Sequence, residues 1–368
     1  MKKAVILCNG VSSEITDRVD LVKDLHELNV QPYCGRIFDG KVNEYFSDET
    51  AICVPIVASR NNVNPFVELR SMESVRKIIK RNDIDAAIVY GVKNHAAMAI
   101  GAKLGGARKV LCVVNGSGNL FLIKGFKGKI LRAVSFFMLR IAYAVSDAIG
   151  FQNADDRKLF IEKRLIKDSP KSFVTGGSGV NLEVFSEEEL PRENRFLFLS
   201  RITPSKGMIE YIKAAEIVKK KYPETIFDIV GPLDSVVENS SGSLLQDAIN
   251  ADIIKYHGAT DDVHSWMAKC RFFVYPSYHE GISRCTMQAM ATGRPVITTN
   301  APGCKETVVD GVNGFLVPVK DEETLAEKMI WMIEHPEETE LMAVASRKIA
   351  EEKFDVKQVN KELISRLC

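Results

Sequence analysis

Short apolar runs alternate with amphipathic segments along the whole chain. The runs that predict strands cover residues 3–8, 52–57, 85–90, 109–114, 147–151 and 171–175, and then 195–200, 225–230, 252–257, 271–275, 294–298 and 314–317. Segments with helical spacing between them include 66–81, 94–104, 126–145, 205–221, 283–292, 321–334 and 337–352. Because strands and helices take turns, the pattern predicts an α/β chain with parallel sheets covered by helices on both faces.

The polar stretch 186–194 separates the two series of strands. We therefore expect two Rossmann-like, doubly wound domains that face a cleft, the first over residues 1–185 and the second over residues 186–352. A last segment, 353–368, is expected to form a helix that crosses back to the first domain. In folds of this kind ligands bind beyond the carboxyl ends of the strands.

Composition supports a well-packed protein with an uneven charge distribution. Hydrophobic residues make up 46% of the 368 positions, so a sizeable core can be buried. Residues 1–185 hold 27 lysines and arginines against 19 acids, whereas the remainder holds 22 against 29. A basic first half indicates an anionic partner, and chance combined with an acidic second domain is the alternative.

The eight cysteines form no Cys-x-x-Cys pair, and several lie in apolar strand patterns. This usage favours a reducing, cytoplasmic compartment and argues against a zinc site or a disulfide framework. The short apolar run at residues 3–8 predicts a first strand and not a signal peptide, and no run is long enough for a spanning helix. We expect no bound metal, no cofactor and no nucleic-acid partner.

Residues 280–297 combine an acid, a glycine, a helical pattern and a second strand pattern. A strand that leads into a helix start places unpaired backbone N–H groups and the positive end of the helix dipole at one point, which suits a phosphate. Glu280 would lie just outside the helix and Gln288 about two turns inside it. We therefore expect a ligand that carries both phosphate and hydroxyl groups, such as a nucleotide sugar.

A second strand-to-helix junction spans residues 200–207. Arg201 and Lys206 follow an apolar strand, and Pro204 and Ser205 are favourable at a helix start. A planar guanidinium and a compact ammonium at one strand end are suited to a diphosphate. The alternative is a pair of solvated surface cations.

These motifs resemble the family 4 glycosyltransferases, which have the GT-B fold. The family pattern of Glu, seven residues, Glu, then Ala-Met-Ala-x-Gly-x-Pro-Val-Ile is carried by Glu280, Gly281, Ala289, Met290, Ala291, Gly293, Pro295, Val296 and Ile297. The upstream and downstream family motifs fall on Arg201, Lys206, Gly207, Gly303, Glu306, Asp310, Gly311, Gly314, Phe315, Leu316 and Val317. The resemblance implies catalytic roles for Glu280, Arg201 and Lys206, and donor binding by Gly207, Gly281, Ile282, Ser283 and Gln288.

One position departs from the family pattern. The second glutamate of the family is Gln288 here, and the resemblance assigns that position to the ribose hydroxyls of the nucleotide. A glutamine carbonyl still accepts hydrogen bonds, but without the assistance of a charge. We expect weaker nucleotide binding or a slightly altered preference, with activity retained.

The first half resembles bacterial transferases that extend lipid-linked sugars during the assembly of surface polysaccharides or glycans. The similarity lies in residues 114–121, 151–156 and 177–185. Its glycine-rich turn after the strand at 109–114 supplies the acceptor-side candidates Asn115, Gly116, Ser117 and Gly118, to which Gly10 after the first strand is added. An ordinary strand-to-helix turn is the alternative.

Residues 120–145 combine Leu, Phe and Ile with five lysines and arginines. A basic amphipathic helix can lie on an anionic membrane surface, which would place the protein on the inner face of the cytoplasmic membrane. The alternative is a core helix with a solvated basic face.

Taken with the resemblance, these features predict a retaining, metal-independent glycosyltransferase. It would move a hexosyl or N-acetylhexosaminyl group from a UDP-sugar to a polyprenyl-diphosphate-linked saccharide. The alternatives are a GT-B epimerase or phosphorylase acting on soluble substrates, and a catalytically degenerate sugar- or membrane-binding subunit. A nicotinamide dehydrogenase is disfavoured, because no dinucleotide glycine fingerprint follows the first strand.

Overall fold

The computed structural model describes residues 2–8, 18–36, 51–57, 65–116 and 126–367. The chain divides into two compact units. The first unit comprises Met1–Ser178 together with Val356–Cys368, and the second comprises Gly179–Asp355.

The first unit contains a parallel sheet with the strand order β3-β2-β1-β4-β5-β6-β7. Its strands are β1 (Lys2–Leu7), β2 (Val30–Arg36), β3 (Ile52–Pro55), β4 (Ala86–Tyr90), β5 (Lys109–Val114), β6 (Ala148–Phe151) and β7 (Ser172–Val174). The order of the strands reverses between β1 and β4, which is the position where doubly wound sheets bind ligands.

The helices of the first unit pack on both faces of this sheet. They are α1 (Val19–Glu27), α2 (Pro65–Asn82), α3 (Val92–Asn94), a π-helical turn (His95–Ala99), α4 (Ile100–Gly105), α5 (Phe126–Val145), α6 (Ala154–Glu162) and, from the end of the chain, α13 (Val356–Ser365). Val359 and Leu363 of α13 are buried in the same core cluster as Ile6 of β1, and Asn360 donates a 2.7 Å hydrogen bond to Asp24 of α1. The last helix is therefore part of the first unit.

Strand β2 is a correction to the sequence-based prediction, which placed no strand between residues 8 and 52. Pro32 and Gly35 interrupt its apolar run, and both residues are unfavourable in strands. Tertiary packing explains them. Pairing with β3 begins only at Tyr33, after the proline, and a Cβ at Gly35 would lie 2.6 Å from the Leu7 side chain.

The second unit contains a parallel sheet with the order β10-β9-β8-β11-β12-β13, which repeats the first six positions of the other sheet. Its strands are β8 (Arg195–Leu199), β9 (Ile226–Val230), β10 (Lys255–Tyr256), β11 (Phe272–Tyr275), β12 (Val296–Thr299) and β13 (Gly314–Val317). The predicted fold class of two doubly wound α/β units is confirmed.

The helices of the second unit are α7 (Met208–Lys221), α8 (Ser235–Asn250), α9 (Val263–Lys269), α10 (Arg284–Ala291), α11 (Glu322–Glu334) and α12 (Pro336–Lys353). The prediction of one continuous helix over 205–221 was wrong. A 3-10 turn covers Pro204–Lys206, Gly207 follows in the left-handed region at φ 81°, and α7 begins only after it. Gly207 thus separates Lys206 from the helix.

The centre of the second unit is a row of aromatic rings across three neighbouring strands. Phe196 of β8 stacks on Phe272 of β11 and on Phe227 of β9, with ring centroids 4.4 and 5.1 Å apart. The strand register pairs Phe272 with Phe196 and Phe196 with Phe227. Because these strands run parallel to one another, their carboxyl ends meet at one edge of the sheet.

Candidate functional site

The strand order of the second unit reverses between β8 and β11. In doubly wound sheets, ligands bind outside the carboxyl ends of the two strands at this point. The segments that follow are residues 200–207 after β8 and 276–283 after β11. They include the 200–207 junction and the beginning of the 280–297 segment that were singled out from the sequence. Topology therefore brings the two motifs to the same edge.

The two segments are joined through their backbones. The N–H of Tyr278 donates to the carbonyl of Ser205 over 2.9 Å. Gly207 lies directly against Pro276, where a Cβ would collide with the Pro276 carbonyl group. This close approach, together with the positive φ, explains the glycine at position 207.

Lys206 and Glu280 form an ion pair across the junction, between the ammonium Nζ and the carboxylate oxygen Oε1. The side chains are 20% and 14% exposed, so the pair is partly screened from solvent and still reachable. Interactions between charges are stronger in such a place than in water. Two of the three predicted catalytic residues thus lie in direct contact.

Two neutral donors reach the same carboxylate oxygen. The Tyr275 hydroxyl lies 2.8 Å from Glu280 Oε1 and the Ser277 hydroxyl 2.7 Å from it. Burial, and then the charge of Glu280, raise the pKa of Tyr275 well above its ordinary value. The phenol therefore stays protonated and donates a hydrogen bond to the carboxylate. Glu280 Oε1 therefore accepts from three side chains.

Helix α10 begins four residues after Glu280, at Arg284, with Ser283 as its N-cap. Ser283 caps the helix, because its hydroxyl accepts from the N–H of Thr286 over 3.3 Å, and the N–H of Ser283 donates to Gly303 over 3.2 Å. A Cβ on Gly303, which has a φ of 79°, would lie 2.7 Å from the carbonyl oxygen of Gly281. The loop after β12 thus fixes the start of a helix whose dipole favours an anion.

The remaining donor-side candidates surround this centre. Gly281 and Ile282 are buried, Gln288 is half-buried in the second turn of α10, and Arg201 is exposed just beyond β8. Burial raises the pKa of the Cys285 thiol, in the first turn of α10, to about 11, so this thiol keeps its proton at neutral pH. The roles assigned to all these residues stay predictions.

In the first unit, two of the acceptor-side candidates are described. Asn115 is exposed and Gly116 half-buried directly after β5, with Gly116 at a φ of 108°. The candidates Ser117, Gly118 and Gly10 lie outside the described residues.

The sequence analysis did not predict the contacts that Tyr275 and Ser277 make with Glu280. The available signal was position alone: Tyr275 is the last residue of an apolar run that ends five residues before Glu280. A third contact locks the same loop, because the Tyr278 hydroxyl donates to Glu210 of α7 over 2.7 Å.

In the part of the chain that the structure describes, no three His, Cys, Asp or Glu side chains are grouped so that they could hold a metal ion. Among those same residues, no helix has the length and apolar composition needed to cross a membrane.

Residues 181–349 match the family model of the glycosyl transferases group 1. This range contains every donor-side candidate from Arg201 to Gln288.

Two curated relatives extend the similarity into the first unit. One is the N,N'-diacetylbacillosaminyl-diphospho-undecaprenol alpha-1,3-N-acetylgalactosaminyltransferase of Campylobacter jejuni subsp. jejuni, 26% identical over 290 residues, or 75% of this chain and 75% of that protein. The other is the UDP-Gal:alpha-D-GlcNAc-diphosphoundecaprenol alpha-1,3-galactosyltransferase of Escherichia coli, 24% identical over 353 residues, or 88% of this chain and 84% of that protein. The resemblance to bacterial transferases of lipid-linked sugars is thereby confirmed.

Solved structures share the fold over the whole chain. The complex of Anabaena Alr3699/HepE with UDP has a TM-score of 0.78 at 19% identity and covers 100% of this chain and 99% of its own. The sucrose-phosphate synthase of Thermosynechococcus elongatus has a TM-score of 0.82 at 15% identity, with 99% and 98% covered. Both likenesses concern the fold.

Proposed function

Because residues 181–349 match the family model of the glycosyl transferases group 1, we propose that this chain transfers a hexosyl or N-acetylhexosaminyl group from a UDP-sugar to a polyprenyl-diphosphate-linked saccharide. The observation that carries the proposal is the Lys206–Glu280 ion pair at the reversal point of the second sheet. The acceptor class is supported by the two relatives, whose names state undecaprenyl-diphosphate-linked sugars.

In this proposal the diphosphate of the donor binds between residues 201–207 and the start of α10. The bond from the anomeric carbon to the diphosphate breaks through a transition state that resembles an oxocarbenium ion, and negative charge develops on the leaving group. Lys206, Arg201 and the helix N-terminus neutralise that charge. Preorganised groups of this kind each contribute about 3 kcal/mol to lowering a barrier.

Glu280 orients the donor sugar through its hydroxyl groups, and Gln288 accepts a hydrogen bond from the ribose. The acceptor hydroxyl attacks the anomeric carbon, and the departing phosphate oxygen takes its proton. The resemblance implies retention of configuration, which the alpha linkage named for both relatives also favours. No metal is required, because the cationic residues supply the charge.

The first unit would bring the acceptor from a membrane surface. Residues 86–146 hold nine lysines and arginines and no aspartate or glutamate. On α5, the apolar side chains of Val134 and Phe137 are 54% and 60% exposed, and Arg140 is exposed beside them. Apolar side chains flanked by cations fit an anionic lipid headgroup layer, so we propose peripheral binding at the inner face of the cytoplasmic membrane.

A UDP-release assay tests the proposal. The purified chain is incubated with UDP-glucose, UDP-galactose or their N-acetylated counterparts, each with and without a membrane lipid extract and with and without EDTA. We expect UDP release with at least one donor, dependent on the lipid extract and unaffected by EDTA. The anomeric proton coupling of the product, measured by NMR, reports retention or inversion.

Other outcomes contradict the proposal in distinct ways. Conversion of a UDP-sugar in the absence of any acceptor would indicate an epimerase, and phosphate-dependent release of a sugar phosphate would indicate a phosphorylase. Binding of UDP without turnover under any condition would indicate a degenerate binding subunit.

A further inference from the structure

Glu280 is held by a lysine that the proposed reaction needs elsewhere. In the structure Lys206 pairs with Glu280 Oε1, whereas in the proposed function its ammonium serves the donor diphosphate. The ammonium has three N–H donors, so Glu280 and a bound diphosphate would compete for them. Donor binding would therefore weaken the pairing between Lys206 and Glu280 and shift Lys206 towards the diphosphate.

The carboxylate that remains is 14% exposed and still requires donors. A poorly hydrated carboxylate that loses its hydrogen bonds pays a large desolvation cost. The Tyr275 and Ser277 hydroxyls already lie 2.8 and 2.7 Å from Oε1, so both can hold the carboxylate in place when the lysine moves.

Tyr275 is built into the core and not into the ligand-facing surface. Tyr275 is 2% exposed. The centroid of its ring lies 6.0 Å from that of Phe198 and 6.4 Å from that of Phe273. A ring fixed in this way presents its hydroxyl from one direction only. The hydroxyl therefore gives Glu280 a rigid anchor that does not depend on the donor.

We propose, resting on the proposed function, that Tyr275 is a positioning residue that holds Glu280 and so releases Lys206 to the diphosphate of the nucleotide. In the structure Lys206, Tyr275 and Ser277 share the carboxylate oxygen Oε1 of Glu280. When the diphosphate binds, the two hydroxyls retain Glu280 in its place for the sugar. Without the phenol, Glu280 retains Lys206 more tightly and competes with the nucleotide.

The test is a double-mutant cycle on UDP binding, measured by isothermal titration calorimetry. Tyr275→Phe is expected to weaken UDP binding about tenfold, the scale of one hydrogen bond to a charged group. In a Glu280→Ala background, Lys206 has no carboxylate to leave, and Tyr275→Phe is expected to change UDP affinity less than twofold. The coupling between the two substitutions is the quantity that a purely structural role would not produce.

Tyr211→Phe is the matched control. Tyr211 is fully buried in the same core, its ring lies 5.5 Å from Phe198, and its hydroxyl donates to the carbonyl of Phe196 over 2.9 Å. Like Tyr275→Phe, this substitution removes one buried phenol hydroxyl, but the hydroxyl of Tyr211 donates to a backbone carbonyl and not to Glu280. UDP affinity is expected to stay within twofold of the wild type. If Tyr275→Phe does not fold, Ser277→Ala replaces it in the cycle, since it removes another donor from Oε1.

The outcomes separate the inference from the proposed function. A wild-type chain that binds no UDP overturns the proposed function and this inference with it. A wild-type chain that binds UDP, while Tyr275→Phe behaves like Tyr211→Phe or has the same effect with and without Glu280, overturns the role of Tyr275 alone.

Discussion

The second sheet has the same strand order as the first six positions of the first sheet, but the two units place different chemistry at one equivalent position. In each unit the fourth strand along the chain lies next to the first one: β4 pairs with β1, and β11 pairs with β8. Both of these fourth strands end in a tyrosine, Tyr90 in β4 and Tyr275 in β11. A titratable residue follows five positions later, His95 in the first unit and Glu280 in the second.

His95 is fully enclosed. Its Nε2 lies 3.1 and 3.2 Å from the carbonyl oxygens of Val89 and Val113, and its Nδ1 lies 3.0 Å from the Tyr143 hydroxyl. These partners assign the proton to Nε2, so that Nδ1 accepts from the phenol. Burial lowers the pKa of His95 to about 4, which keeps it neutral and structural at physiological pH.

Glu280, in contrast, stays partly exposed and meets a cation. Its ion pair with Lys206 can exchange partners with an incoming anion, whereas the neutral bonds of His95 have nothing to exchange with. The strand order places a titratable side chain at the same position in both units. Its exposure and its charged partners then determine whether that side chain stabilises the fold, as His95 does, or faces a ligand, as we propose for Glu280.

The largest effect should come from Lys206→Ala. Loss of this ammonium removes a preorganised charge from the leaving group, and we expect turnover to fall about 100- to 1,000-fold with the melting temperature nearly unchanged. UDP release measures the first quantity and circular dichroism the second. Lys213→Ala, which removes a surface ion pair with Glu322, is the control; equal losses in both variants would contradict the assignment of Lys206.

His95 should instead control stability through pH. Its pKa is lowered in the folded state to about 4, below the ordinary value of 6.5, so between these values the unfolded chain binds more protons. Stability should therefore fall as the pH drops from 6.5 to 4, by about 3 kcal/mol for this group.

Thermal melting across pH 4 to 7 measures this dependence, and His95→Gln should reduce it. The exposed His26→Gln serves as the control. An unchanged pH dependence in His95→Gln would mean that the first unit does not bury a neutral imidazole.

A third, smaller effect concerns the surface of the first unit. Phe137→Glu replaces an exposed apolar side chain on α5 with an anion, and we expect binding to phosphatidylglycerol vesicles to weaken about tenfold. Vesicle flotation measures it, with Val236→Glu on α8 of the second unit as the matched control, since Val236 is 59% exposed. Equal flotation of both variants would remove α5 from the membrane proposal.

The smallest effect should come from Gln288→Glu, which places the carboxylate of the family pattern at the position proposed to bind the ribose. A carboxylate accepts a stronger hydrogen bond than an amide, so we expect UDP to bind about two- to fivefold more tightly. Calorimetry measures it against Gln246→Glu, an exposed change on α8. Markedly weaker binding would place the ribose elsewhere.

Much of the fold could be predicted because buried parallel strands appear in the sequence as apolar runs. Strand β2 could not, since Pro32 and Gly35 interrupt its run and only packing against β1 and β3 accounts for them. The break at Gly207 was missed for a similar reason. It depends on contact with Pro276, which lies far away in the sequence.

The site divides in the same way. The placement of Lys206 and Glu280 at one edge followed from strand ends and spacing, and their contact agrees with that expectation while their roles stay predictions. The part played by Tyr275 was not visible, because the direction of a side chain at a strand end depends on the register with β8 and β12.

By itself, the sequence determined the alternation of strands and helices, the two series of parallel strands and the motifs at their ends, because these depend on local apolar patterning and on chain order. Only the tertiary structure decided that His95 is neutral and enclosed, and that Glu280 shares one oxygen among Lys206, Tyr275 and Ser277. The physical reason is that burial and charge pairing arise from residues distant in the chain, which the sheet brings together.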